Sequence, residues 1–168
     1  MMSSYKLGLK PWILLRVASV ITFLYFVGHT MGMPWTPVRG PNEVPLLKLM
    51  KADHFYVMGL SRSYQDFYFG FGVAISGFLL LQAVLLWQLG TRAKVDPAGV
   101  RSMVTTFTIS FLANAIVVGK YFFALPLILA IAIAACLGFA LIMTRPQVSD
   151  FASPVQLNDV VQVQSTRS

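Results

Sequence analysis

Few side chains in this 168-residue sequence are equipped for chemistry, and they are unevenly placed. His29 stands out, because an imidazole with an unperturbed pKa of about 6.5 trades protons near neutrality. Ser19 and Thr22 share its face, since positions 19, 22, 26 and 29 follow a helical repeat. Asp66, which follows closely on Arg62, and Glu43 are carboxylates that could orient such a histidine. Arg39, Arg62 and Lys120 are cations that could hold an anionic headgroup or a developing charge. Asn114 adds a neutral amide, and Asn42 and His54 lie in the same intervening stretch as Arg39 and Glu43. This predicts one site in which His29, Asp66 and Glu43 are the catalytic candidates. Arg39, Arg62, Asn114 and Lys120 are the ligand-binding candidates, and only Gln82 lies apart, toward the other side.

Each of these residues also has a purely structural use. Ser63-x-x-Asp66 has the form of a capping box, in which both side chains satisfy free backbone N–H groups at a helix start. Arg62 and Lys120 could serve as headgroup anchors, and His29 could be a neutral histidine bonded to a backbone carbonyl or to Asn114. Two histidines can ligate a haem, but His54 falls in a loop rather than on a helix facing His29. The single cysteine rules out an internal disulfide, and no Cys/His spacing has the form of a zinc site, so no metal or cofactor is assigned.

The composition explains where such groups must work. Hydrophobic residues make up 57 % of the chain and charged residues 11 %, against about 25 % charged in soluble domains. That balance excludes a disordered protein, a nucleic-acid binder and an ordinary cytosolic enzyme. The net charge of +7 comes from scattered Lys and Arg, so anionic lipid headgroups are the expected acidic partner.

A hydrocarbon core of about 30 Å needs about 20 apolar helical residues. Four segments reach that length, at about 12–33, 66–89, 100–119 and 124–143. The first contains Arg16, whose stem can snorkel to the interface, and the last must hold Pro126 in its first turn. Basic residues precede the first span, but no small-residue cleavage site follows it, so it is expected to be retained. Four spans put both termini on one side, with Lys6, Lys10, Arg16, Arg92, Lys94, Arg101, Arg145 and Arg167. The other side has only Arg39, Lys48, Lys51, Arg62 and Lys120, so the termini are expected to be cytoplasmic.

The expected fold is therefore all-α: a transmembrane four-helix bundle (1–145) with a long outer loop between helices 1 and 2, and a polar, mobile tail (146–168). Pro34, Pro37, Pro41 and Pro45 hold the start of that loop extended. Beyond them Leu46, Leu47, Leu49, Met50, Val57 and Met58 alternate with charges, as in a short interfacial helix. Small and polar residues mark helix contacts in lipid. Ser102, Thr106, Ser110 and Asn114 form a stripe predicted to point inward, opposite Ala130, Ala134 and Gly138, while Gly28 with Gly32 and Gly72 with Ser76 mark the other two spans.

The stretch from Gly28 to Leu89 carries the most distinctive text: Gly28-His29-Thr30, Pro34-Trp35-Thr36-Pro37, Gly40-Pro41-Asn42-Glu43, Arg62-Ser63-Tyr64 and Asp66-Phe67-Tyr68. It resembles a group of small, uncharacterised four-span bacterial integral membrane proteins. The resemblance implies a bacterial inner membrane and a shared outer loop, and it brings no activity, cofactor or substrate. The layout is also loosely similar to DoxX-like and sterol-isomerase-like four-span folds, at the level of architecture alone.

Two functions remain open. One is a non-catalytic membrane protein, either an accessory subunit of a larger complex or homo-oligomer, or a binder of lipid or another lipophilic ligand. The other is an enzyme acting on a lipophilic substrate at the outer leaflet with His29 as acid or base. A transporter is disfavoured, since no span is broken midway and no acidic relay is present.

Overall fold

The computed structural model describes residues 10–32 and 40–144. The elements run α1 (Pro11–Gly32), α2 (Glu43–Ala52), β1 (His54–Val57), β2 (Leu60–Ser63), α3 (Tyr64–Arg92), α4 (Arg101–Tyr121) and α5 (Ala124–Met143). Arg39, the prolines at 34 and 37, and the tail 146–168 lie outside the described residues. Helices α1, α3, α4 and α5 are each long and apolar enough to cross a membrane. Their outward faces carry large apolar side chains, among them Leu24, Phe71, Phe78, Ile116 and Phe139, as lipid-facing helices must.

The ends of these helices follow from local sequence. Pro11 opens α1, where a missing N–H costs nothing, and Pro126 sits in the first turn of α5. Ser63 caps α3: its Oγ accepts from the Asp66 N–H at 3.1 Å, and Asp66 Oδ2 accepts from the Ser63 N–H at 2.9 Å. At the far end of α5 the Arg101 guanidinium donates to the Leu141 carbonyl at 2.9 Å, satisfying a late acceptor and tying α4 to α5. Between α3 and α4 the Asp96 carboxylate accepts from the Gly99 N–H at 2.8 Å. Any side chain at 99 would collide with that carboxylate.

The segment between α1 and α3 is not a plain loop, and the fold is mostly helical rather than all-α. The expected short helix forms as α2 but stops at Ala52, and Val57 and Met58 belong instead to a β-hairpin. Strands β1 and β2 pair antiparallel with Val57 opposite Leu60 and His54 opposite Ser63. Met58 and Gly59 turn the hairpin, both with positive φ (49° and 81°), which matches the twist of the two strands. Phe55 fastens the hairpin to α3, its ring centroid 5.0 Å from those of both Tyr64 and Phe67.

The four long helices form two pairs. Helix α1 packs along α3, α4 along α5, and the pairs are joined by α1 against α5, whereas α3 and α4 barely touch. The buried core consists of Leu14, Leu15 and Ala18 of α1, Leu86 and Leu89 of α3, Val104 and Phe111 of α4, and Ile133, Leu137 and Ala140 of α5. These residues cluster toward one end of the bundle, the end where α1 begins and α5 finishes. The bundle is pinched there and loosens toward α2 and the hairpin.

The packing marks are partly as expected. Gly72, Ser76, Ala130 and Ala134 are buried in helix contacts. Gly28 and Gly32 are exposed with open space beside them, and the close contact of α1 is made instead by Leu15, Ala18, Ser19 and Thr22. The stripe on α4 departs most: Ser102, Thr106 and Ser110 are exposed, and α4 buries Val104, Phe111, Ala115 and Val118. The physical reason is that α5 is almost wholly apolar, so α4 turns its apolar face to α5 and leaves its hydroxyls outside.

Candidate functional site: a cleft between two helix pairs

The predicted site residues occupy separate places. His29 sits in the last turn of α1, half-buried, with Nε2 3.1 Å from the Gly72 carbonyl of α3. One residue on, Thr30 Oγ1 donates to Ser76 Oγ at 2.9 Å. Both bonds belong to a polar seam between α1 and α3 that continues at the other end, where Ser19 Oγ donates to the Ala83 carbonyl at 2.7 Å. Asp66 is engaged in the cap of α3. Glu43 begins α2, half-buried, and Asn42 occupies the N-cap position of that helix without a side-chain cap bond.

The cations are peripheral. Arg62 lies on the hairpin and donates to the carbonyl of its own neighbour, Ser61, at 2.9 Å. Lys120 is exposed in the last turn of α4, its Nζ 5.2 Å from the Tyr121 ring. His54 is exposed, its Nδ1 2.9 Å from the Ala52 carbonyl. Among the described residues no group of three or more His, Cys, Asp or Glu side chains is placed to hold a metal ion.

Asn114 belongs to a different arrangement. Where α3 and α4 stand apart, a half-open cavity of about 210 Å³ lies between them with α1 as its floor. Tyr25 contributes from α1, Ile75, Phe78, Leu79 and Gln82 from α3, and Ser110, Phe111 and Asn114 from α4. The Tyr25 hydroxyl is in hydrogen-bonding reach of the Asn114 side chain. Known protein families, curated proteins and solved structures offer no match to this chain. The resemblance to small four-span bacterial proteins therefore rests on the residues that suggested it.

The depth of the cleft decides its chemistry. At about 1.5 Å per residue, Tyr25, Gln82, Ser110 and Asn114 each lie within about 6 Å of the midpoint of their helix. In a helix that crosses a hydrocarbon core about 30 Å thick, the middle turns are the ones farthest from water. Four neutral hydrogen-bonding groups thus open onto an otherwise apolar cavity, the pattern of a small-molecule site. None carries a formal charge, so the cleft suits a neutral ligand with hydroxyl or carbonyl groups. A cavity of about 150 Å³ is enough for benzene. This one accommodates a six-membered ring with a polar substituent.

The sequence reading missed this grouping. Ser110 and Asn114 were noticed as a stripe and Gln82 as an exception, while Tyr25 carried no signal, since an aromatic in a span looks like any lipid-facing ring. What joins them is that α3 and α4 do not close on each other, a tertiary fact with no local mark in the sequence.

Proposed function

We propose that this chain is a non-catalytic protein of the bacterial cytoplasmic membrane, with both termini on the cytoplasmic side, and that it holds a neutral lipophilic molecule between α3 and α4. The observation that carries this reading is the cleft itself: Tyr25, Gln82, Ser110 and Asn114 converge, near the midpoints of their helices, on a cavity walled by Ile75, Phe78, Leu79 and Phe111. Asn114 already has the Tyr25 hydroxyl beside it, and a hydroxyl- or carbonyl-bearing ligand would add partners for the polar groups of the cleft in surroundings where hydrocarbon offers none.

Mass spectrometry of the protein extracted from its own membrane in mild detergent tests the reading. A neutral lipophile is expected at about one per chain, and Gln82→Leu with Asn114→Leu should release it while leaving the helix content unchanged. Chains that carry only phospholipid, equally in the wild type and the double variant, would overturn it. A second reading, an accessory subunit of a larger membrane complex, is favoured by the polar exposed face of α4, where Ser102 lies outward beside Thr106, whose hydroxyl donates to the Ser102 carbonyl at 3.2 Å. Its mark in the same experiment is a stoichiometric partner polypeptide instead of a lipophile. An acid–base role for His29 on a lipophilic substrate would fall to Nδ1, since Nε2 is held at the Gly72 carbonyl, and no observation favours that role.

A further inference from the structure

At the pinched end of the bundle, Arg16 lies five residues beyond Pro11, about 8 Å along α1 from its start. Its guanidinium carbon stands 4.2 Å from the centroid of Trp87 on α3 and 5.9 Å from that of Trp12 on α1. Lys94, just past α3, places its Nζ 4.6 Å from the Trp12 ring on the same side. The two cations are thus held on one pair of indoles.

Their hydrogen bonding is incomplete. Among the described residues the Arg16 Nη2 has one long contact, 3.5 Å to Thr91 Oγ1, and its buried Nε has no partner. Among the described residues no carboxylate lies within ion-pair distance of Arg16 or Lys94, and the nearby Asp96 is engaged with Gly99. A charged side chain within a spanning helix ordinarily pairs with an opposite charge. Beside this unpaired cation runs a shallow apolar groove of about 470 Å³, lined by Trp12, Ile13, Arg16, Val17, Val20, Ile21 and Trp87.

We infer that this place binds an anionic phospholipid, with its phosphate between Arg16 and Lys94 and an acyl chain along Ile13, Val17 and Val20. A guanidinium presents several donors in a plane that fits phosphate oxygens, and an ammonium beside it adds a second charge. The groove explains why the ligand is a lipid and not free phosphate: it starts at the cations and continues into the hydrocarbon along α1. Gly90 lets the site form. A Cβ there would stand 3.1 Å from Arg16 Cγ and 3.3 Å from the Trp12 carbonyl, so glycine gives α3 its close approach to α1 behind the guanidinium without crowding.

The test uses the full chain carrying Trp35→Phe, so that only Trp12 and Trp87 emit, reconstituted in phosphatidylcholine vesicles. Acyl-brominated phosphatidylglycerol or phosphatidylcholine is added as quencher. At about 1 kcal/mol for each of the two basic residues near the surface, phosphatidylglycerol should be preferred about thirtyfold. Arg16→Gln and, separately, the exposed Lys94→Gln should each reduce the preference to about fivefold. Lys94→Gln serves as the check should Arg16→Gln fail to fold. Excess inorganic phosphate should leave the quenching unchanged. Equal quenching by the two lipids, or a preference untouched in the folded Lys94→Gln variant, would overturn the inference, and so would relief of quenching by inorganic phosphate. The cleft between α3 and α4 plays no part in this readout, so the two readings stand or fall separately.

Discussion

Removing Ser19 Oγ and trimming Leu15 probe what holds α1 to α3. Both residues are buried on the same face of α1, and Ser19 makes the shortest hydrogen bond of the seam, 2.7 Å to Ala83. Interhelical hydrogen bonds in membranes average about 0.6 kcal/mol and reach at most about 1.7. In Ser19→Ala the Ala83 carbonyl keeps its place in the α3 ladder, so no acceptor is orphaned and the cost should sit near the average. Leu15→Ala behaves differently. In a water-soluble core such a truncation costs about 2–5 kcal/mol, of which about 2.4 is transfer of three carbons from water. The transfer share vanishes when the separated helices still lie in lipid, which leaves roughly 1–2 kcal/mol of lost packing around a fully buried side chain. Leu15→Ala should therefore cost about twice as much as Ser19→Ala, even though only the latter breaks a hydrogen bond. Reversible unfolding in mixed micelles, followed by tryptophan emission, measures both. A Ser19→Ala cost above about 2 kcal/mol, or one larger than that of Leu15→Ala, would refute the view that packing outweighs polar contacts in this seam.

Two paired substitutions extend the reasoning. Gly28→Ala places a methyl in open space and relieves a helix-propensity penalty, so thermal stability in detergent should hold or rise. Gly90→Leu overfills the tight approach to Trp12 and Arg16 and should cost about 1–3 kcal/mol in the same melt. Ser63→Ala removes half of the capping box and should cost about 1 kcal/mol by the same unfolding titration, with binding of the neutral lipophile unchanged. Loss of that ligand in a folded Ser63→Ala chain would mean that the α3 start and the cleft are coupled.

The spans were legible because nothing competes with twenty apolar residues in succession: the helices begin and end within about three residues of where hydropathy and proline placed them. The Ser63–Asp66 box was legible as well, since a cap is written in four consecutive residues. The hairpin was not. Val57 and Met58 read as apolar positions of a helix, and the sign of a two-residue turn was only Met58-Gly59, where a non-glycine residue takes a positive φ. The sequence places His29, Asp66 and the cations at one mouth of the bundle, but sequence order does not reveal which of them meet. His29 meets Gly72 across the contact of α1 with α3, and Asp66 meets Ser63 in the cap of α3.

Why the cleft stays open follows from where the apolar contacts are spent. Helix α5 is short of polar groups and takes contacts on two sides, from α1 through Ile133 and Leu137 and from α4 through Val104, Phe111 and Ala115. Helix α1 likewise serves two neighbours, with Ser19, His29 and Thr30 bonded to α3. Helices α3 and α4 each have one full partner, and the short connection from Ala93 to Val100 holds them together only at the pinched end. Closing them along their length would press Ser110 and Asn114 against Ile75, Phe78 and Leu79, burying hydrogen-bonding groups against side chains that offer none. Gln82 alone could answer them from α3. The gap is therefore the cheaper arrangement: Asn114 keeps the Tyr25 hydroxyl of α1 as its partner, and Ser110 keeps an open face instead of being pressed onto hydrocarbon side chains.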